Sequence, residues 1–361
     1  MPHDEPFIPH LSQPLICVVG PTASGKSDLA QELARRLGGA VISADSMQVY
    51  RGMDIGTGKL PARRRTVDHY GLDLVDPGQA YSVALYQDYA RRTAAALDAA
   101  GIRPVLCGGT GLYVRAVIDG YTYPKGGAEE NPVRTRYEEL LGRIGPQALW
   151  ERLAAVDPDS AALIHPNNSR RVIRAFELAA QGESYARQRA RLAHIPQVVP
   201  AVQIGLAVDP AALNARIDAR VDRMLDDGLV SEVARLLDAG LRGALTAPQA
   251  IGYKEIVAAL EGECTRAQAV EQIKIATHRY AKRQRSWFRR DARIHWIDAA
   301  RSGEPSGLPA GGRAGTMLTG EAPSRSAAPA TAAAEPGDNG ETSGMGALVQ
   351  KALDVLATIE G

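Results

Sequence analysis

Three cysteines are all that this 361-residue chain contains, and they lie far apart. Cys17, Cys107 and Cys264 form no C-x-x-C pair, which excludes a zinc ribbon and a disulfide framework. No apolar run approaches the roughly 18 residues that a membrane helix needs. The first 20 residues lack a positively charged start followed by a long apolar stretch, so no secretory signal is expected either. Net charge is also missing. Forty-two Lys and Arg against 41 Asp and Glu leave +1, so any basic surface for an anionic polymer has to be local. These absences point to a reducing, cytoplasmic setting with no membrane partner.

What is present is apolar material for a core, 45% of residues, on a length that suits about two domains. Residues 1–14 are proline-rich and read as a loose leader. The run 15–19 ends at Gly20 and reads as a buried parallel strand; 26–37 is helical, 40–43 a second strand, and 44–80 a long connection with little regular pattern. An alanine-rich helix over 82–100, a third strand over 104–108 and a short helix from Thr110 follow. Cys17 and Cys107 fall inside strands, as small apolar filler. Alternating strand and helix is the mark of an α/β domain with a parallel sheet flanked by helices.

Residues 120–200 change character, with prolines, clustered arginines and helical segments but no good strand, and read as a mostly helical inserted domain. Strand character returns at 202–208, so the α/β domain is placed at 15–119 and 201–298. Helices are expected near 210–226, 229–239, 248–261 and 265–290, with a last strand over 293–297. Residues 299–344, rich in Gly, Ala, Pro, Ser and Thr, bury too little apolar surface to offset their ordering entropy and read as a disordered tail. That tail tethers a C-terminal helix, 345–361, whose Leu348, Val349, Leu353, Leu356 and Ile359 form a docking stripe.

Gly20-Pro21-Thr22-Ala23-Ser24-Gly25-Lys26-Ser27 fits G-x-x-x-x-G-K-[ST] between a strand and a helix. Glycines there let successive N–H groups curl around a phosphate at a helix N-terminus. Lys26 reaches the outer oxygens, and the Ser27 hydroxyl can coordinate Mg²⁺. Such a P-loop, the nucleotide-binding and ATP-binding signature, says polyphosphate without saying which. ATP is the common tenant, but an isoprenoid diphosphate presents the same oxygens. Asp45, directly after the second strand, sits at the carboxyl end of the sheet beside the P-loop. A carboxylate there can accept a proton from an attacking hydroxyl or amine; a helix N-cap or turn-former is the plain alternative, and spacing leaves both open.

Taken in order, several segments resemble the bacterial tRNA dimethylallyltransferase family over roughly residues 15–298. They are the P-loop, Asp45-Ser46-Met47-Gln48-Val49-Tyr50 running into Gly52-Met53-Asp54-Ile55-Gly56-Thr57, Gly108-Gly109-Thr110-Gly111-Leu112-Tyr113, Ile251-Gly252-Tyr253-Lys254-Glu255, and Lys282-Arg283-Gln284-Arg285-Ser286-Trp287-Phe288-Arg289. The resemblance implies a P-loop NTPase-like fold. It also implies that the P-loop holds the diphosphate of dimethylallyl diphosphate with Mg²⁺, and that Asp45 receives the exocyclic amine of the adenine 3′ of the anticodon. Arg220 and Arg223 resemble arginines placed near that diphosphate, though a salt-bridged helix face fits them nearly as well. Gly58-Lys59-Leu60 replaces the family's usual Ala-Lys-Pro, Ser27 replaces a common Thr, and no zinc finger of the eukaryotic kind is possible. The Asp-Asp-x-x-Asp pair of chain-elongating prenyltransferases is missing too, so the P-loop has to hold the diphosphate.

The same resemblance assigns tRNA contact to Asp45, Ser46, Met47, Gln48, Thr110, Arg134, Arg170, Arg171, Val172, Ile173 and Arg174. Gln249, Ala250, Ile251, Gly252, Tyr253 and Lys254 join them, together with the stretch 282–289. By helical spacing Arg279, Arg283 and Arg290 form one stripe, a solvated face or a phosphate track, while Ile273, Tyr280 and Trp287 form a second that reads as the core face. The expected protein is a monomeric tRNA-modifying transferase. A P-loop small-molecule kinase, an adenylate prenyltransferase and an RNA-binding nucleotide switch compete with that reading.

Overall fold

Six strands form one parallel sheet: β1 (Leu15–Val19), β2 (Gly39–Ser43), β3 (His69–Tyr70), β4 (Arg103–Gly108), β5 (Ala201–Ala207) and β6 (Ile294–Asp298). Their order is β3-β2-β4-β1-β5-β6. The computed structural model describes residues 6–123, 131–193, 195–243, 246–299 and 339–360. Every residue of β1 is buried, because a central parallel strand is covered on both faces; hence its unbroken apolar run. The register sets Val19 level with Gly108 and Gly205, so three strands open their loops at one edge.

Helix α1 (Lys26–Arg36) covers one face of the sheet. Its Leu29, Ala30, Leu33 and Ala34 join Ile16, Val18, Val105 and Ile204 in one core. The opposite face carries α2 (Val83–Ala99) and α3 (Gly111–Ile118). The core there continues into α8 (Pro210–Asp226), α9 (Leu229–Asp238), α10 (Tyr253–Leu260) and α11 (Arg266–Phe288). Thr265 starts α11 with a reciprocal cap: its hydroxyl accepts from the Gln268 N–H while the Gln268 side chain accepts from the Thr265 N–H.

Between α3 and β5 lie α4 (Pro132–Val156), bent at Gly145-Pro146, α5 (Pro158–Ala162), α6 (Ser169–Ala180) and α7 (Tyr185–Ala193). They pack around their own core of Leu149, Leu153, Ile164, Val172, Ile173 and Phe176, with Tyr137 stacked on Phe176 at 4.0 Å. The neck of this helical unit is riveted by charge. Fully buried Asp119 accepts from Arg115 at 2.8 Å and from Arg293 at 2.6 Å, and Arg293 also donates to Gln197 at 3.1 Å.

Five expectations need correction. The 44–80 connection contains β3, which at two residues is too short to show a period of two. The leader from residue 6 on is tied down rather than loose: Ser12 bonds Asp98 through its N–H and its hydroxyl, and buried Arg91 donates to the Phe7 carbonyl. Helix α10 starts at Tyr253 rather than 248, because Gly252 at φ +95° separates it from a single turn over Ala247–Gln249. The tail reading falls mostly on 300–338, outside the described residues, but Ala299 is buried and bonds the Ala207 carbonyl.

The last helix, α12 (Asn339–Glu360), begins six residues before the expected start at 345. Leu348, Val349, Ala352 and Leu356 pack into the α1 core, and Glu360 pairs with Arg103. Val349→Ala is expected to cost about 2 kcal/mol, the usual range for deleting buried methyls. Urea unfolding followed by circular dichroism checks it: a lowered midpoint at unchanged slope is expected, and an unchanged midpoint would mean that α12 adds nothing to the sheet's stability.

Candidate active site

Residues 20–27 leave β1 and enter α1 through a loop whose backbone is left-handed at Ala23 (φ +61°) and Gly25 (φ +90°). A non-glycine at positive φ is uncommon and persists where surroundings hold it. Pro21 and Ser24 are buried, and the Ser24 hydroxyl has no hydrogen-bond partner. Lys26 Nζ donates to the Pro21 carbonyl at 3.3 Å. Burial pulls its ammonium below the ordinary lysine value, and Arg220 pushes the same way. An anion beside it would reverse that shift, so the site is electrostatically prepared for one.

Asp45 follows β2, half-buried. Its Oδ1 accepts from the Met47 N–H at 2.9 Å, while Oδ2 takes no hydrogen bond among the described residues. The turn-forming reading of Asp45 therefore holds for one oxygen, while the other is left free at the sheet edge. Thr110 ties this turn to the next loop, its N–H bonding the Ala44 carbonyl at 3.2 Å and its Oγ1 accepting from the Ser46 N–H at 3.1 Å. Behind them the Tyr86 hydroxyl donates to the Ser43 carbonyl at 2.8 Å, with its ring stacked on Tyr113 at 3.9 Å.

Arg220 projects from α8 against Gly58, where a β-carbon would overlap its guanidinium in this position. Burial lowers its pKa, Asp45 raises it, and Arg223, exposed one turn on, lowers it again. The fold thus gathers Lys26, Asp45 and Arg220 and sets Arg223 at their rim. Helix α8 packs on α11 through Ile217, Val221 and Ile273, with Lys274 paired to Asp222 at 2.7 Å.

The loop over residues 52–59 has little apolar material and is held by buried charge instead. Glu232 accepts from the Asp54, Ile55 and Gly56 N–H groups at 3.1, 2.8 and 3.2 Å, and from the Tyr253 hydroxyl at 2.6 Å. Lys59 Nζ donates to the Tyr50 carbonyl, Asp54 and Asp73 at 2.6, 2.8 and 2.6 Å. Gln48 takes the Ser43 hydroxyl at 2.8 Å and reaches the Thr57 and Gly58 carbonyls.

Among the expected RNA contacts, Arg170, Arg171, Gln249, Lys254, Lys282, Arg283, Ser286, Trp287 and Arg289 are exposed, and Ser46, Met47, Thr110, Ile251 and Arg285 are half-buried. Several others are turned inward. Val172 and Ile173 sit in the core of the helical unit, and Ala250, Gly252, Tyr253, Gln284 and Phe288 are buried in the main body. Arg134 and Arg174 both pair with buried Glu177, at 2.8 and 3.0 Å, and so neutralise it. On α11 the core face runs Ala269, Ile273, Ala281, Gln284 and Phe288, while Trp287 is 40% exposed. Glu232 was missed, although an acid within the apolar stripe Leu229, Val233 and Leu236 was a readable signal.

Residues 48–291 match a family profile described as IPP transferase, and residues 14–66 match one described as isopentenyl transferase. The chain belongs to the IPP transferase family. Among curated relatives, a tRNA dimethylallyltransferase of Streptomyces griseus is 51% identical over 285 residues, 78% of this chain and 89% of that protein. One from Rhodococcus jostii is 45% identical over 287 residues, 79% and 91% of the two chains. This IPP transferase also resembles solved structures. The tRNA isopentenylpyrophosphate transferase of Bacillus halodurans aligns with TM-score 0.57 at 42% identity, covering 80% of this chain and 90% of that one. A eukaryotic dimethylallyltransferase acting on tRNA aligns with TM-score 0.65 at 27% identity, covering 80% and 74%. The sheet is the P-loop NTPase-like one of these neighbours. No described helix is long and apolar enough to cross a membrane.

Tyr253→Phe removes one donor from a carboxylate that three amides still hold. A loss of about 1.5–3 kcal/mol is expected, as for a hydrogen bond to a charged group. Urea unfolding measures it; an unchanged midpoint would mean that Glu232 is satisfied by the backbone alone.

Proposed function

We propose that this IPP transferase moves the dimethylallyl group from dimethylallyl diphosphate to the exocyclic amine of the adenine 3′ of the anticodon in tRNA, releasing diphosphate. The observation that carries the reading is the convergence of Lys26, Asp45 and Arg220 at one edge of the sheet, with an unpartnered Asp45 oxygen between phosphate-binding groups. A kinase would use the same cradle. The relatives, however, are prenyltransferases named for tRNA, at about half identity over most of the chain.

In the proposed step the amine nitrogen bonds to the allylic carbon as the carbon–oxygen bond breaks, its electron pair passing to the diphosphate and its proton to Asp45. The adenine amine is a weak nucleophile, its lone pair delocalised into the ring, so both removal of the proton and stabilisation of the leaving group matter. Lys26, Arg220 and the P-loop amides serve the second need. Mg²⁺ is the fitting metal. Among the described residues no three of His, Cys, Asp and Glu cluster, so a cation would rest on the Ser27 hydroxyl and substrate oxygens. When bound, it would neutralise charge on the departing diphosphate. An adenine stacked in a loop cannot reach Asp45, so it must be turned out; the exposed arginines of α6 and α11 supply compensating phosphate contacts. The reading is of a monomer acting in the cytoplasm.

Asp45→Asn keeps the acceptor for the Met47 N–H, and hence the turn, while removing the basicity. Single-turnover transfer with prebound tRNA is expected to fall by about 10²–10⁴-fold, as for loss of a general base. A loss smaller than about tenfold would make Asp45 structural.

Charge reversal at Arg170 and Arg171, leaving Arg134 and Arg174 to neutralise Glu177, is expected to weaken tRNA binding. It should also flatten the slope of log affinity against log salt by about one unit for each phosphate no longer neutralised. Filter binding across a salt series reads this. Retained tRNA affinity with collapsed donor binding would make the helical unit a lid and favour the kinase.

A further inference from the structure

Gln284 stands in the most basic stretch of α11, yet its side chain points away from it. It is 5% exposed, while Lys282, Arg283, Ser286 and Arg289 around it face outward. Its Oε1 accepts from the Thr22 N–H of the P-loop at 2.9 Å, and its Nε2 donates to the Gly109 carbonyl at 3.0 Å. A β-carbon at Gly109 would occupy the space of Nε2. One helical turn earlier, the Tyr280 side chain lies beside Gln284 and Thr110. Thr110 in turn accepts from the Ser46 N–H, next to Asp45.

A single buried amide therefore spans the two halves of the site. On one side it holds the Thr22 peptide, whose N–H is spent on Gln284, directly before the left-handed Ala23. On the other it holds the loop that carries Thr110 and, through it, the Asp45 turn. Both bonds reach far in sequence, from α11 to loops after β1 and β4.

We infer that Gln284 is a positioning residue of the transfer reaction, setting the distance between the diphosphate cradle and the accepting carboxylate. It is not an RNA contact. The inference rests on the prenyl-transfer reading, because only a reaction that needs donor and acceptor in register penalises a cradle displaced from Asp45. A displacement near one ångström between reacting groups costs about 10²-fold in rate.

Two variants and three readouts test it. Gln284→Ala should lower single-turnover transfer by about 10²-fold and weaken binding of inorganic pyrophosphate with Mg²⁺ in calorimetry, with tRNA affinity unchanged. Gln284→Glu keeps the acceptor for Thr22 but, when ionised, sets a second lone pair against the Gly109 carbonyl. Protonation restores the donor, so its activity relative to wild type should recover as pH falls. Wild-type transfer in Gln284→Ala, a loss confined to tRNA affinity, or a pH-independent ratio for Gln284→Glu would each overturn the inference. If Gln284→Ala does not fold, the Glu variant's pH profile still decides. If the wild type binds pyrophosphate but transfers nothing to tRNA, the prenyl-transfer reading fails, and the pyrophosphate arm still reports whether Gln284 sets the cradle.

Discussion

Backbone amides can hold a polyphosphate only if the loop presenting them cannot relax, and the structure is organised around that constraint. The loop runs through left-handed conformations at Gly25 and at Ala23, the latter one that a non-glycine residue does not keep unaided. Rigidity is supplied from three directions. Strand β1 is buried throughout, α1 is locked beneath the sheet by a core that α12 completes, and Gln284 reaches across from α11 to hold Thr22. In the proposed reaction, Lys26, Asp45 and Arg220 depend on that loop being fixed.

Where apolar packing runs out, buried charge replaces it. Glu232 folds residues 54–56 around its carboxylate, Lys59 draws Asp54 and Asp73 together, and Asp119 with Arg293 and Arg115 closes the neck of the helical unit. Each of these groups is costly to bury alone and tolerable only when its partners are complete. These networks therefore specify loop position more than they add stability. Within Gly58-Lys59-Leu60 the lysine shared with the usual family sequence keeps its burial and its three partners, and Gly58 lies against the Arg220 guanidinium.

Much of this was legible in the sequence, for reasons that can be named. The P-loop was readable because its chemistry demands glycine and lysine at fixed spacing, and β1 because a central parallel strand is apolar without alternation. Asp45 was placed at the sheet edge, but whether it made a turn or met a ligand could not be chosen, since one carboxylate does the first with one oxygen and leaves the other free. Val172, Ile173, Tyr253 and Gln284 were read as RNA contacts because motifs record which residues recur together, not which way they face. Tyr253 and Gln284 each tie distant loops into the site. The two-residue β3 and the hydrogen-bonded segment from residue 6 onward were invisible because neither depends on periodicity.

The central claim is that the cradle holds an allylic diphosphate while an adenine of tRNA is alkylated beside Asp45. Intact mass spectrometry of unmodified tRNA incubated with the protein, Mg²⁺ and dimethylallyl diphosphate tests it most directly. The account requires a single C₅H₈ increment, located by nuclease mapping to the adenine 3′ of the anticodon and absent when ATP replaces the prenyl donor. Unchanged tRNA mass together with ATP hydrolysis or phosphoryl transfer would contradict it.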